Sequence, residues 1–314
     1  MRPAQRGAAL LTAMIIVTLV AALAATMAWR QTRAVQLEAA ERARTQASWM
    51  LQGALDWARL VLREDAIGNQ TKQNWDHLGE PWAVPLAEAR LSTFLAAQNP
   101  SGDTDGPEAF LSGRIEDAQA RYNLRNLTIG TPVNPLEQRT LVRLCTNAGV
   151  PGGTAELILQ RLRAAMTAPI ADNAPLAPAT VAQLSWLGLP PEVASKLEPL
   201  MTLLPSATPV NLNTAPREVI AALFDGMDLA SAERLVQARQ NAPLASPQDA
   251  LKYLPPNITI SGDRASVNSS FFYVTGRLRL DEHVLQQRSL LQRSGLNVLV
   301  LDRQRLSELT RPEP

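Results

Sequence analysis

The chain has 314 residues, 46% of them apolar and 19% charged, a balance that fits a folded protein and excludes a disordered one. Thirty Lys and Arg against 29 Asp and Glu leave a formal charge of +1, which removes any whole-chain argument for a nucleic-acid partner. The single cysteine, Cys145, excludes an intramolecular disulfide; it ends the apolar stretch Leu141–Cys145 and reads as a buried structural thiol.

Ala8 to Ala28 carry no charge, and Thr12, Thr18 and Thr26 are their only polar side chains. As a helix, this stretch is long enough to cross a hydrocarbon core of about 30 Å. Arg2 and Arg6 precede it, so the positive-inside tendency puts the N-terminus in the cytoplasm and the rest of the chain outside, with Arg30 and Arg33 weighing against. Three readings compete. Ala22, Ala24, Ala25 and Ala28 offer small residues for signal-peptide cleavage, but the apolar run is long for a signal-peptide core. A plain signal anchor is the second. The third is a leader cut after Gly7, and the order of short basic leader, Gly7 and uninterrupted apolar run favours it. Arg6-Gly7-Ala8-Ala9-Leu10-Leu11-Thr12 resembles the cleavage region of type IV prepilin-like proteins. Most members of that family carry glutamate five residues after the cut, where this chain has Thr12. A carboxylate in a membrane is costly unless paired, and the usual account pairs it with the amine of a neighbouring subunit. A subunit without it suits the end of an assembly, where it joins first.

From Arg30 to Arg63 there is no proline and one glycine, Gly53, among good helix formers. Met50, Leu51, Ala54, Leu55, Ala58, Val61 and Leu62 recur at spacings of three and four, which predicts a stalk that leaves the membrane and then lays one apolar stripe on a globular head. The segment Trp75-Asp76-His77-Leu78-Gly79-Glu80-Pro81-Trp82 follows. Asp76, His77 and Glu80 are candidates for a metal or catalytic cluster, but the favoured reading is an ordered loop capping a small sheet, with Trp75 and Trp82 as apolar anchors. Asn99 to Pro107 is a turn-rich loop. Its Asp103, Asp105 and Gly106 echo a calcium loop without the later ligands, so it reads as solvated.

Phe110 to Ile115 is a strand candidate, and Tyr122 and Leu124, alternating with Asn123 and Asn126, mark a strand end entering a loop. From about Pro135 to Pro255 the pattern is helical: Leu136–Ala148, Thr154–Met166, Pro178–Leu187, Pro191–Leu200, Pro216–Phe224, Leu229–Gln240 and Pro247–Tyr253, many opened by proline or a capping residue. Two stretches share a helix, glycine turn, helix plan, at Gly149-Val150-Pro151 and at Gly226-Met227, which resembles a helix-hairpin-helix. The DNA-gripping version has a second glycine where Asp228 stands here, and Pro205–Pro255 carries four basic and five acidic residues, so these hairpins read as packing units. Phe271–Leu280, Val284–Gln292 and Gly295–Leu301 predict an antiparallel meander of three strands. With strands on both sides of the helical stretch, the predicted fold class is α+β: a transmembrane helix continuing into a head with a small antiparallel sheet, and a large all-α domain inserted into it.

His77-Leu78-Gly79-Glu80, Asp117 to Leu127, Val210-Asn211-Leu212-Asn213-Thr214-Ala215 and Ser269-Ser270-Phe271-Phe272, together with the leader and Thr12, resemble the minor pseudopilin K subunit of the type II (general) secretion pathway. The resemblance implies a leader at 1–7 cleaved between Gly7 and Ala8, a transmembrane helix at 8–29, a pilin-like head at 30–128 and 258–314, and an inserted helical domain of helix-hairpin-helix-like units at 129–257. It also implies methylation and a place at the tip of a periplasmic pseudopilus that the subunit helps to start. The implied partners are the companion minor pseudopilins I and J, other pseudopilins, the prepilin peptidase and the inner-membrane secretion platform, with no nucleic acid. Relatives often carry an acidic, calcium-associated segment after the first hairpin; here Met166 to Pro175 holds one carboxylate, Asp172, so no calcium and no cofactor is expected. No enzyme is expected either, since the two histidines, His77 and His283, stand far apart and zinc spacing, a phosphate loop and a G-x-S-x-G elbow are all missing. The rival readings are a membrane-anchored DNA-binding or DNA-uptake module and an anchored periplasmic enzyme.

Overall fold

The computed structural model describes residues 6–71, 75–91, 109–167, 173–256, 258–280 and 283–306. The Asn99–Pro107 loop with Asp103 and Asp105, the leader residue Arg2, and Asp172 lie outside the described residues.

A single helix, α1 (Arg6–Thr71), opens the chain and runs 66 residues without a proline, about 100 Å at 1.5 Å per residue. It is the one helix among the described residues long and apolar enough to cross a membrane. Within the apolar stretch the hydroxyls of Thr18 and Thr26 donate to the carbonyls of Ile15 and Leu23, so their polar atoms are satisfied inside the helix, as lipid demands. Burial begins where the stripe begins: Ala47, Leu51, Leu55, Ala58, Leu62 and Ala66, spaced by three and four, face the sheet.

That sheet has five antiparallel strands: β1 (Leu86–Arg90), β2 (Ala109–Asp117), β7 (Phe271–Leu280), β8 (His283–Ser294) and β9 (Asn297–Leu306), in the order β1-β2-β7-β8-β9. The expected three-stranded meander is β7-β8-β9, with a bulge between Leu290 and Leu291. It is widened by β2, which pairs with β7 from Ala109↔Leu280 to Asp117↔Phe272, and by the edge strand β1. β1 carries no signal of its own, because LAEAR has one half-buried residue followed by four exposed ones. On the α1 side Leu55, Ala58 and Leu62 meet Trp82, Phe272, Val274, Leu291 and Val298. Trp82 packs edge-on against Phe272 at 5.3 Å. Two glycines paired across β2 and β7, Gly113 and Gly276, let the helix and strands approach: a methyl on Gly276 would meet Leu51 at 3.2 Å and one on Gly113 the Thr275 carbonyl oxygen at 2.8 Å.

Between β2 and β7 the chain builds a helical region with its own larger core. It contains β3 (Tyr122–Asn123), α2 (Pro135–Asn147), α3 (Thr154–Met166), α4 (Pro191–Leu197), β4 (Met201–Thr202), β5 (Val210–Asn211), α5 (Arg217–Leu223), α6 (Leu229–Asn241) and β6 (Ala265–Ser266). β3 pairs in parallel with β4, and β5 with β6. The segments expected as helices at Pro178–Leu187 and Pro247–Tyr253 are 3₁₀ turns, Ala182–Leu187 and Pro247–Tyr253. Each has little room, one stopped by left-handed Gly188 and the other by Pro255 and Pro256. α4 stops at Leu197 because Pro199 has no N–H to continue it. Gly149 and Gly153 take positive φ in the first turn and Gly226 in the second. Asp228, read above as a charge facing any phosphate, is the N-cap of α6 and accepts from the Ser231 N–H at 2.6 Å.

Candidate functional site: an N-terminal span and a buried polar junction

Gly7 and Ala8 lie one and two residues inside the start of α1. Thr12 sits on its exposed surface, four residues beyond Ala8, in a stretch where residues 9–28 are all exposed. These three residues lie together near the start of α1. The chemistry-bearing motifs farther along the chain converge elsewhere, at the junction of α1, the sheet and the helical region.

Arg293, near the end of β8, stands at the centre of that junction, with 8% of its side chain exposed. Nη1 donates to Asp65 Oδ2 on α1 at 2.5 Å. Nη2 donates to Asp76 Oδ1 and to the Ser269 carbonyl. The guanidinium plane lies over Phe272, 4.8 Å from the ring centre. Carboxyl oxygens of Asp65, Asp76 and Glu80 come within 4.8 Å of one another, so the guanidinium is the cation this acidic cluster holds. Glu80 Oε2 accepts from the His77 N–H at 2.9 Å and from the Trp82 indole at 2.7 Å. Its pKa is pushed up to about 7, first by burial and then by the neighbouring carboxylates of Asp65 and Asp76. Burial also raises Asp65, opposed by Arg293, and lowers His77. His77 does not join the cluster: its Nδ1 accepts from the Gly79 N–H at 3.0 Å. Asp76 and Glu80, two of the three residues of the cluster reading, therefore do meet, but with Asp65 in place of His77 and with Arg293 bound to Asp65 and Asp76.

Asp117 extends the junction into the helical region. Its carboxylate accepts from the Gln119 N–H at 2.7 Å, Asn211 Nδ2 at 3.0 Å, Thr214 Oγ1 at 2.5 Å and Ser269 Oγ at 2.6 Å. Burial raises its pKa and the hydroxyl donors oppose that rise. Asn211 Nδ2 reaches the Asp76 carbonyl as well. Asn213 closes a reciprocal pair with the backbone of Leu244, and Asn123 bonds the backbone of Leu204 and Ser206. The motif residues Asn123, Asn211, Asn213 and Thr214 thus act as internal adhesive, which is how buried amides and hydroxyls are satisfied. A second buried pair lies within the helical region, where Glu137 binds Arg264 at 2.8 Å and accepts from the Tyr122 hydroxyl at 2.6 Å. Asp65 and Arg293 had no sequence signal, since a lone charge in an amphipathic helix or near a strand end ordinarily faces water.

A membrane-spanning helix that runs unbroken into a head and lies along an antiparallel sheet is the build of a pilin-like subunit. The family "Type II secretion system (T2SS), protein K" matches residues 210–262, the stretch that holds Asn211, Asn213 and Thr214. The type II secretion system protein K of Pseudomonas aeruginosa is 30% identical over 93% of this chain and 90% of its own length. That of Pectobacterium carotovorum is 27% identical over 97% of each. The fold is similar to a chain in the crystal structure of the GspK-GspI-GspJ complex from the enterotoxigenic Escherichia coli type 2 secretion system, with a TM-score of 0.61, 20% identity, and 86% of this chain and 99% of that one covered. The chain belongs to the type II secretion system protein K family, and its role is that of a minor pseudopilin in type II secretion.

Proposed function

We propose that this subunit caps the periplasmic pseudopilus and helps to start its assembly, and so promotes protein export across the outer membrane. In this reading the prepilin peptidase cuts between Gly7 and Ala8, residues 8–29 stay in the inner membrane, and Arg2 and Arg6 keep the leader in the cytoplasm while the head stands in the periplasm. The head is formed by 30–128 and 258–314, and 129–257 is an inserted domain of helix-hairpin-helix-like units. The observation that carries the proposal is the span itself: an exposed, uncharged stretch of α1 from Ala9 to Ala28, which follows the Gly7–Ala8 pair and has Thr12 in place of a carboxylate. Without that carboxylate the subunit has no charge to pair with the amine of a neighbour, which suits the first position in a filament.

The related GspK chain was crystallised with GspI and GspJ, and this supports companion pseudopilins of those two kinds as partners, beside other pseudopilins and the inner-membrane platform. The role is structural, with no cofactor, no calcium and no catalysis. DNA is not a partner in this reading, because the Asp228 carboxylate occupies the N-terminal amides of α6 where a phosphate would sit, and Asp225 takes up the nearby cations Arg139 and Arg143.

N-terminal sequencing and intact mass of the protein from membranes, with and without prepilin peptidase, test the processing. A chain starting at Ala8 only when the peptidase is present is the expected result. A start near Trp29, or an uncut Met1, overturns it.

A further inference from the structure

A crevice of about 320 Å³ opens between the sheet and the helical region. It exists because one edge of β2 runs out of cover: β1 leaves that edge at the Leu86↔Gly113 pair, and from Arg114 to Asp117 no strand lies beside it among the described residues. Leu78, Trp82 and Pro216 are part of the apolar lining, and Arg114, Glu116 and Arg121 carry its charge. Asp117 also borders the crevice, but its carboxylate is satisfied by four donors inside the junction. The bond from Thr214 to Asp117 ties the helical region to β2, so the crevice is formed in advance and filling it costs little ordering.

The charge in the crevice is poorly matched. Arg114 Nε lies 3.3 Å from one oxygen of Glu116, and Arg121 Nη2 lies 3.4 Å from the other. Both contacts are long for charge-assisted bonds. One carboxylate thus serves two guanidiniums, each with most of its donors unused. Arg121 also stacks over the Tyr273 ring at 5.7 Å, which holds its plane in place. The nearest charges along the chain from the lining prolines are already paired, Glu198 with Arg288 at 3.2 Å and Arg217 with Glu218 at 2.9 Å. Beside these cations Leu78 leaves more than half of its surface in water.

The geometry points to a docking site for an acidic segment of a partner protein, one that sets an aspartate or glutamate side chain on Arg114 and Arg121 and a neighbouring apolar side chain against Leu78 and Trp82. The guanidinium forks select a carboxylate, which they can grip with paired bonds. The apolar lining selects a side chain beside it, which an inorganic anion does not have. The volume stands at the small end of ligand sites, so it admits a few side chains and no large cofactor. The site belongs to the head and the helical region alone, and it does not depend on where in a pseudopilus the subunit stands.

A random peptide library displayed on phage tests this, selected on the full chain in lipid nanodiscs and counter-selected on empty nanodiscs. Each peptide is fused to the coat protein through its C-terminus, so no terminal carboxylate is on offer. Peptides with Asp or Glu beside an apolar residue are expected to be enriched. A synthesised binder should lose about tenfold or more in affinity when its acidic residue becomes the amide, and as much against Arg114→Gln. The Arg114 side chain is 55% exposed and pairs only with Glu116, so this exchange leaves the fold in place. Glu116→Gln removes the resident carboxylate that competes for both arginines, and it should tighten binding several-fold, a gain that a merely structural Glu116 would not give. No enrichment, enriched peptides without an acidic residue, or affinities that Arg114→Gln and Glu116→Gln both leave unchanged would overturn the proposal.

Discussion

Arg293 is held by carboxylates from two separate stretches, Asp65 on α1 and Asp76 in the segment after it. Cutting one partner from such a buried set leaves charge without compensation, which costs far more than the set contributes net. Arg293→Met is therefore expected to destabilise the chain by about 3–5 kcal/mol in equilibrium denaturation at neutral pH. Arg42→Met removes a pair with Glu38 in which both side chains are mostly exposed, and it should change stability by less than about 1 kcal/mol. Cys145 offers a second check at this scale. Burial pushes its thiol up to about 11, so it holds almost no thiolate at neutral pH. A maleimide or disulfide reagent should label it only as fast as the protein unfolds; rapid labelling of folded protein would contradict the buried-thiol assignment made from its apolar neighbours.

Among the elements, α1 and the sheet beneath it give a paired expectation. Gly53 lies in a helix interior with open space around its α-carbon, so Gly53→Ala should stabilise by about 0.5–1 kcal/mol. Gly113→Ala places a methyl 2.8 Å from a backbone oxygen that cannot turn away, and should destabilise by about 1–3 kcal/mol. Thermal melts of the two variants beside the wild type measure both. The elements were legible to different degrees for physical reasons. Thr154–Met166 and Phe271–Leu280 agree with the sequence reading end to end, because an amphipathic helix opened by a glycine turn and an aromatic strand carry their signals locally. β1 was illegible because an edge strand with four exposed residues owes its conformation to the neighbour it pairs with. The 3₁₀ turns were read as helices because caps and prolines announce where a turn starts, but not how many residues will propagate it.

At the scale of the molecule, the sequence motifs that carried the family resemblance located the junction without revealing its composition. Glu80, Asp117, Asn211, Thr214 and Ser269 were all inside those motifs, Asp76 stands one residue before the first of them, and the six meet in one place. Asp65 and Arg293 complete that place from positions 228 residues apart, a relation that only the assembled sheet and helix establish. The order of strands has a last consequence. β2 and β7 are neighbours, so the chain leaves the sheet at Asp117 and returns beside it at Phe272. From the standpoint of the sheet, residues 118–271 are a hairpin loop that happens to be folded. Closing such a loop costs a term that grows only as the logarithm of its length, about 0.6 kcal/mol for each doubling. The detour can therefore lengthen, shorten or change its contents while the pairing of the two strands stays in register, provided it keeps the side chains that Asp76, Asp117 and Arg288 bond across the boundary.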